Sequence, residues 1–454
     1  MAMTAPRVIV SAPHGVPSLQ PWPSNRAAYY ALTVIILATM LNFFDAGVFA
    51  IMAQRIKVDF HLTDEQLGFL IGPANVVFYV LVGIPMARLV DIYPRKIVLA
   101  CGIAAIGGIT ALGGLAQSFA QLFSSRMLVG AGGSAHAPGA YSMLADLFPP
   151  QRLPRAIGFL QLGFIGGSAL GIFLGGHLVY WATTWPVSQW MGFTIHGWQW
   201  ILMMVGAPGL LIAALLLLAK EPPRRGAAQE KSPPITVVLR EIWSRKAIYL
   251  PLFIGLAFSA TQAIGMQAWR APFLIRTYGW NEARIGNWFG FTFLAASLLG
   301  AVLGTVLVER LSKRYKDANV RAATILFAAA APFEIIAPLM PTGELSLLCL
   351  GVTTMCGLAS AVPQNSAIQR ITPNRMRGQI TAIYLFMFIV FGALGSQLIG
   401  SITQRVFHSD ADLWKTIVLT ASILMPAAAI AISRGIKPYG REVERLDALE
   451  QGAA

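Results

Sequence analysis

Twelve separate stretches of this chain stay apolar for about the ~20 residues that a helix needs to cross a bilayer, and that repetition leaves few folds open. They run 27–54, 65–88, 95–116, 120–146, 155–181, 198–220, 249–272, 283–308, 319–338, 343–368, 377–404 and 412–433. Hydrocarbon offers no water to a backbone N–H or C=O, so each stretch must close its own hydrogen bonds as a helix. Composition agrees: 56% of the 454 residues are hydrophobic and only 12% charged, against about 25% charged in soluble domains. The reading is an all-α polytopic membrane protein of twelve transmembrane helices, solvated by membrane lipid.

A formal charge of +14 would suggest nucleic acid for a soluble chain, but its distribution accounts for it here. Of the 34 Lys and Arg, 26 fall in the tails and alternate loops, seven in the other loops, and Arg126 within a span. Basic residues remain on the cytoplasmic side. The count therefore places both termini inside, in a cytoplasmic or plasma membrane, and requires no nucleic-acid partner. The longest inside loop, KEPPRRGAAQEKSPPITVVLREIWSRK, is Pro-rich and charged, as linkers are, and divides the spans six and six. The expected organisation is a disordered tail over 1–26, a six-helix bundle over 27–220, a cytoplasmic linker over 221–248, a second bundle over 249–434 and a cytoplasmic tail over 435–454.

Weak repetition at half the chain length supports two related halves. Phe148–Gly171 lines up with Ile371–Gly395, and ARLVDIYPRK (Ala87–Lys96) with TVLVERLSKR (Thr305–Arg314). Two pseudo-symmetric bundles are the organisation of a protein that rocks about a central site. Cys349 and Cys356 are about 10 Å apart along one helix, too far for a disulfide. The histidines lack metal-ligand spacing and no phosphate-binding Gly-x4-Gly-Lys-Ser/Thr loop occurs, so no metal or cofactor is expected.

Charges inside the apolar runs are the candidate functional groups, because an unpaired charge in lipid is costly. Asp45, in ATMLNFFDAGVFAIMAQ, lies about nine residues, ~13 Å, below the outer end of its span, and Arg126 about six residues, ~9 Å, below the same surface. The two can meet. Such a pair either fixes the first span to the fourth, or lets Asp45 exchange Arg126 for a proton or yield Arg126 to an anionic headgroup. The second reading is favoured, since packed apolar residues could replace a purely structural pair. Asn42 and Phe49 on the first span, Gln262, Met266 and Trp269 at i, i+4, i+7 on the seventh, and Tyr384 on the eleventh are expected to line the cavity with them. Mostly apolar with few polar anchors, it suits an amphiphile better than a sugar, although interhelical hydrogen bonds alone would also explain its polar residues. Glu334, four residues before Pro338, reads as close enough to the outer interface to reach water, and His136 as a hydrogen-bonded packing residue.

At the inner ends, Asp91 precedes Arg95 and Lys96, and Glu309 with Arg310 repeats the arrangement in the second half. The expected device is a cytoplasmic gate, in which Asp91 caps the positive start of the eleventh span near Arg377 and Arg95 pairs with Asp146.

Several stretches resemble the major facilitator superfamily. GIPMARLVDIYPRKIVL (Gly83–Leu99) is similar to that family's signature between helices two and three, with Ile92 and Pro94 in place of Arg and Gly. RMLVGAGGSAHAPGAYSMLADLFPPQRLPRAIG resembles the fourth-helix signature, and GFIGGSALG (Gly163–Gly171) the Gly-rich fifth-helix signature common in exporters, with Ser168 in place of Pro. NFFDAGVFA and FHLTDEQLGFLIG look most like the Spinster-like branch, with Ala46 where an Arg, and Gly133 where a Glu, would stand. The resemblance implies a monomeric secondary active transporter, not an enzyme, that moves a small amphiphilic and anionic organic substrate, such as a lysolipid or sphingoid phosphate, by alternating access with the proton as coupling ion. The alternatives are a proton-coupled organic-anion or drug carrier of the same superfamily, separable by a substrate panel, and a lipid-modifying membrane enzyme, separable by turnover of labelled lipid.

Cysteines introduced at Ser232 and Ala318 should react with an impermeant maleimide only from the cytoplasmic side, and one at Thr184 only from outside. Labelling of the Ser232 site from outside overturns the orientation.

Overall fold

The computed structural model describes residues 22–190, 192–225 and 233–452. Most of the tail expected to be disordered, residues 1–21, lies outside them, and α1 begins at Asn25. The first bundle comprises α1 (Asn25–Asp59), α2 (Asp64–Ile71), α3 (Pro73–Ile92), α4 (Arg95–Gly113), α5 (Phe119–Gly133), α6 (His136–Leu147), α7 (Leu153–Ala182) and α8 (Gly197–Leu218). A short helix, α9 (Ile235–Ser244), leads into the second bundle: α10 (Lys246–Tyr278), α11 (Glu282–Ser312), α12 (Ala318–Ile336), α13 (Gly343–Ile371), α14 (Arg377–Ile402) and α15 (Leu413–Ser433). A last helix, α16 (Ile436–Gly452), follows.

Among the described residues, eleven helical segments are long and apolar enough to cross a membrane. The twelfth span is the α5–α6 pair, broken at Ser134 and Ala135 within GAGGSAHAPG. Glycine weakens a helix and Pro138 lacks a backbone donor, so neither piece alone has full length. The second span breaks likewise, at Gly72 before Pro73.

Three segments outside the spans carry structure of their own. The linker contains α9, whose Val238 and Ile242 are buried. The C-terminal tail is helical and docked: Asp447 of α16 accepts from Lys316 Nζ and Arg370 Nη2, and Tyr439 accepts from Asn319 Nδ2 at 3.2 Å. The Trp-rich outer loop forms a two-stranded hairpin, β1 (Ser188–Trp190) against β2 (Phe193–Ile195).

Small residues set the helix spacing. A Cβ at Gly171 would lie 2.5 Å from the Phe44 carbonyl oxygen, and one at Gly167 2.5 Å from that of Met40. Only glycine admits α7 this close to α1, so the part of α1 that bears Asp45 is clamped by backbone contact. Across the bundles, Gly176 of α7 meets Gly286 of α11 at similarly close range.

The bundles meet at the end that the charge count assigns to the outside, and that end is called outer below. Asp64, fully buried at the start of α2, accepts from Arg276 Nη1 at 2.7 Å, from Arg276 Nη2 at 2.8 Å and from Lys57 Nζ at 2.7 Å. Arg276 Nε also reaches Gln54 at 3.0 Å. Glu282, at the start of α11, accepts from Arg55 Nε at 2.6 Å. These contacts are reciprocal: the first helix of each bundle sends an arginine to the acid that opens the second span of the other. Thr63 and Asn281 cap the two acid-bearing helices, and an acid at a helix start is stabilised by the dipole. Arg405 and Glu65 add an exposed pair. Toward the inner end the contacts cease. Of α3, only Pro73, Ala74 and Val90 are buried, and Ile84 is 82% exposed. The buried residues of α14 concentrate over 392–400.

Breaking a buried charge pair costs about 3–5 kcal/mol because the partner is left uncompensated. Asp64→Asn should therefore disfavour the closed outer end and increase outer-open molecules by two or more orders of magnitude. Double electron–electron resonance between spin labels at Thr184 and Ser409 should record a longer distance. An unchanged distribution refutes this lock.

Candidate functional site

In the first bundle, the long, apolar α1 carries Asp45 to mid-membrane. Beside it runs α5, started by Ser118, whose side chain accepts from Gln121 N. Arg126 projects from α5, and its Nη1 donates to Asp45 Oδ2 at 3.0 Å. Its Nη2 donates to Thr110 Oγ1 of α4 at 3.2 Å, and the guanidinium lies over the Phe49 ring, 4.6 Å from the centroid. Both charges are buried, Asp45 at 5% and Arg126 at 4% exposure. Asp45 Oδ1 and Arg126 Nε have no hydrogen-bond partner among the described residues. An ion pair with spare donor and acceptor capacity can take a proton on the acid or an anion on the base without dismantling the helices around it.

The second bundle repeats this plan with other residues. Arg270 of α10 lies over the Phe289 ring, also 4.6 Å from its centroid. Its Nη2 donates to Thr354 Oγ1 of α13 at 3.4 Å. The acid here is Glu334 of α12, which accepts from Gln262 Nε2 at 3.3 Å. Glu334 is 3% exposed. This corrects the expectation that it reaches water at the outer interface: its side chain turns into the bundle toward α10. Arg270 Nε and Gln262 Oε1 have no hydrogen-bond partner among the described residues.

The other expected cavity residues scatter. Met266 and Trp269 are wholly buried, and Trp269 Nε1 donates to the Ser396 carbonyl of α14 at 2.8 Å, tying α10 to α14 instead of lining an open cavity. Seven residues separate Gln262 from Trp269, ~10 Å along the axis, so one helical face meets two different neighbours. Tyr384 is buried and donates to Gln364 Oε1 at 3.0 Å, apart from the Gln262 cluster. Asn42 is partly exposed on α1. His136 Nε2 lies 2.7 Å from Thr39 Oγ1, a packing contact between α6 and α1.

At the inner end, Arg95 Nη1 meets Asp146 Oδ2 at 2.5 Å, and its Nε meets Glu221 Oε1 at 3.1 Å. Lys96 Nζ donates to the carbonyls of Leu217 and Ala219, each at 3.1 Å, the favoured place for a cation at the end of α8. Glu221 escaped the sequence reading because it lies in the linker, where acids are ordinarily solvated. Asp91 is exposed and does not cap α14, because the inner ends of α3 and α14 are apart. Glu309 and Arg310 are exposed as well.

Among the described residues no group of His, Cys, Asp and Glu is placed to hold a metal ion. The arrangement suits alternating exposure of a central charged site: the halves are locked outside and parted inside, with buried ion clusters at intermediate depth.

Comparison with known proteins fits this geometry. The family model of the Major Facilitator Superfamily matches residues 35–396. The chain is 26% identical to an MFS-type efflux pump of Mycolicibacterium smegmatis, over 97% of this chain and 99% of that one. It is also 26% identical to protein spinster homolog 3 of Mus musculus, over 91% of this chain and 83% of that one. A crystal structure of a bacterial homologue of the human lysosomal transporter Spinster, inward-facing and unoccupied, superposes with a TM-score of 0.77 at 24% identity, covering 93% of this chain and 98% of that one. The chain is an integral membrane transporter that belongs to the Major Facilitator Superfamily and is Spinster-like within it.

Proposed function

We propose that the protein is a proton-coupled secondary transporter of an amphiphilic organic anion of the lysolipid or sphingoid-phosphate kind, working by alternating access. The observation that carries this is the buried Asp45–Arg126 pair with its two unfilled positions. A carboxylate and a guanidinium that neutralise each other in low dielectric can separate only when each finds another counterpart. A proton on Asp45 frees Arg126 for the headgroup, and headgroup release restores the pair. The apolar setting, with Phe49 under the guanidinium, favours a substrate with a hydrocarbon portion. A second reading, a carrier of organic anions or drugs, is supported by the likeness to the mycobacterial efflux pump.

Proteoliposomes loaded with fluorescent lysophosphatidylglycerol, an organic-anion dye or ethidium distinguish these readings by which compound follows an imposed pH gradient. In the responsive assay, Asp45→Asn should retain binding but reduce gradient-driven accumulation to its level without a gradient. Arg126→Ala should weaken binding about 10- to 150-fold, the loss expected for a charged hydrogen bond worth about 1.5–3 kcal/mol. Asp45→Asn transport with unaltered dependence on the gradient would leave the pair a structural bridge.

When the outer end opens, Asp91, Arg95, Lys96 and Asp146 with Glu309 and Arg310 form the inner gate of this scheme, and Asp91 then meets the positive start of α14. Asp91→Asn should enrich inner-open molecules by about two- to fivefold, the equivalent of the 0.3–1 kcal/mol of a charge at a helix terminus. The readout is the spin-label distance between the inner ends of α3 and α14, and an unchanged distribution removes Asp91 from the gate.

A further inference from the structure

We propose that α9 lies in the headgroup layer of the inner leaflet, with Ile235, Leu239 and Trp243 in lipid and Arg240 and Lys246 on anionic phospholipid headgroups. At 100° per residue, Val238, Ile242, Ile235, Leu239 and Trp243 form one continuous apolar arc of about 140°. The protein covers only one edge of it. Val238 and Ile242 are 0% and 8% exposed, whereas Ile235, Leu239 and Trp243 are 52%, 53% and 65% exposed. Thr236 and then Arg240 follow the Trp243 edge, and Ser244 and Val237 lie opposite the arc.

Position and charge identify what covers the free edge. Helix α10, which crosses the membrane, begins at Lys246, two residues beyond the end of α9, so α9 lies at the level where hydrocarbon gives way to headgroups. Trp243 is the residue type that this boundary favours, and Lys246 Nζ stands 5.2 Å from the centroid of its ring. Arg245 is already engaged by Glu241, Glu442 and the Ile371 carbonyl, which leaves Arg240 and Lys246, both exposed, facing outward beside the apolar edge. An amphipathic helix with cations flanking a Trp and Leu edge binds the surface of an anionic leaflet. The anchor also bears on the transport cycle: the Pro233 carbonyl, just before α9, accepts from Gln379 Nε2 of α14 at 3.0 Å, so lipid held by α9 restrains the inner end of α14.

The test uses full-length protein in nanodiscs, with Cys101, Cys349 and Cys356 replaced and a single nitrobenzoxadiazole label on Leu239→Cys or, as control, Ser244→Cys. Brominated phosphatidylglycerol should quench the Leu239 site strongly and the Ser244 site little. Brominated phosphatidylcholine, diluted into unlabelled phosphatidylglycerol, should quench the Leu239 site less. Arg240→Gln with Lys246→Gln should reduce the preference for phosphatidylglycerol by about fivefold per residue, the equivalent of the ~1 kcal/mol that an interfacial cation gains. Equal quenching of the two sites overturns the proposal, as does a blue-shifted Leu239 site that no lipid quenches, the result expected if a second protein covers this face. Equal quenching by the two lipids in the parent overturns the anionic partner.

Discussion

A charge taken out of water must find another charge, and that requirement organises this protein more than any apolar contact does. Apolar side chains are as well solvated by lipid as by one another, so they do not dictate how the bundles meet. The acids at the starts of α2 and α11 do. Asp64 and Glu282 each take an arginine from the opposite bundle, and glycines at the same level let the backbones approach. Each acid is also held by the N-terminus of its own helix, so parting the bundles does not leave it without stabilisation. The arginines lie near the outer surface, where long side chains can reach water. The contact is therefore strong enough to hold a closed end and cheap enough to reopen.

Deeper in the membrane the same requirement is met within each bundle. Arg126 and Arg270 each lie over a phenylalanine ring and against a threonine hydroxyl, but their acids differ. Asp45 touches Arg126 directly, whereas Glu334 is held by Gln262. Architectural symmetry thus coexists with chemical asymmetry: one bundle carries a contact ion pair and the other an incompletely matched cation. Rocking about a central site needs only the first kind of symmetry.

The inner end is built for separation. Arg95, Asp146 and Glu221 knit the first bundle to the linker, and α16 fastens the inner loops of the second through Asp447. Each bundle is consolidated by itself here, and what joins them is the linker and α9. The exposed inner portions of α3 and α14 complete the contrast with the crowded outer portions.

The sequence by itself determined the number of spans, their helical character and the depth of Asp45 and Arg126, because lipid imposes length and hydrogen bonding on each segment independently of its neighbours. Two depths counted along two helices sufficed to bring those residues together. Glu334 was misread because depth says nothing about direction: its ring of neighbours, not its distance from Pro338, decides whether it meets water or Gln262. The partners Asp64–Arg276 and Arg55–Glu282 were invisible for the same reason, since residues more than two hundred positions apart meet only once two bundles have docked. The uncovered edge of α9 and the docking of α16 likewise depend on which surface each helix finds. Tertiary structure decided the pairing of charges, since pairing is a property of two surfaces and a sequence pattern describes only one.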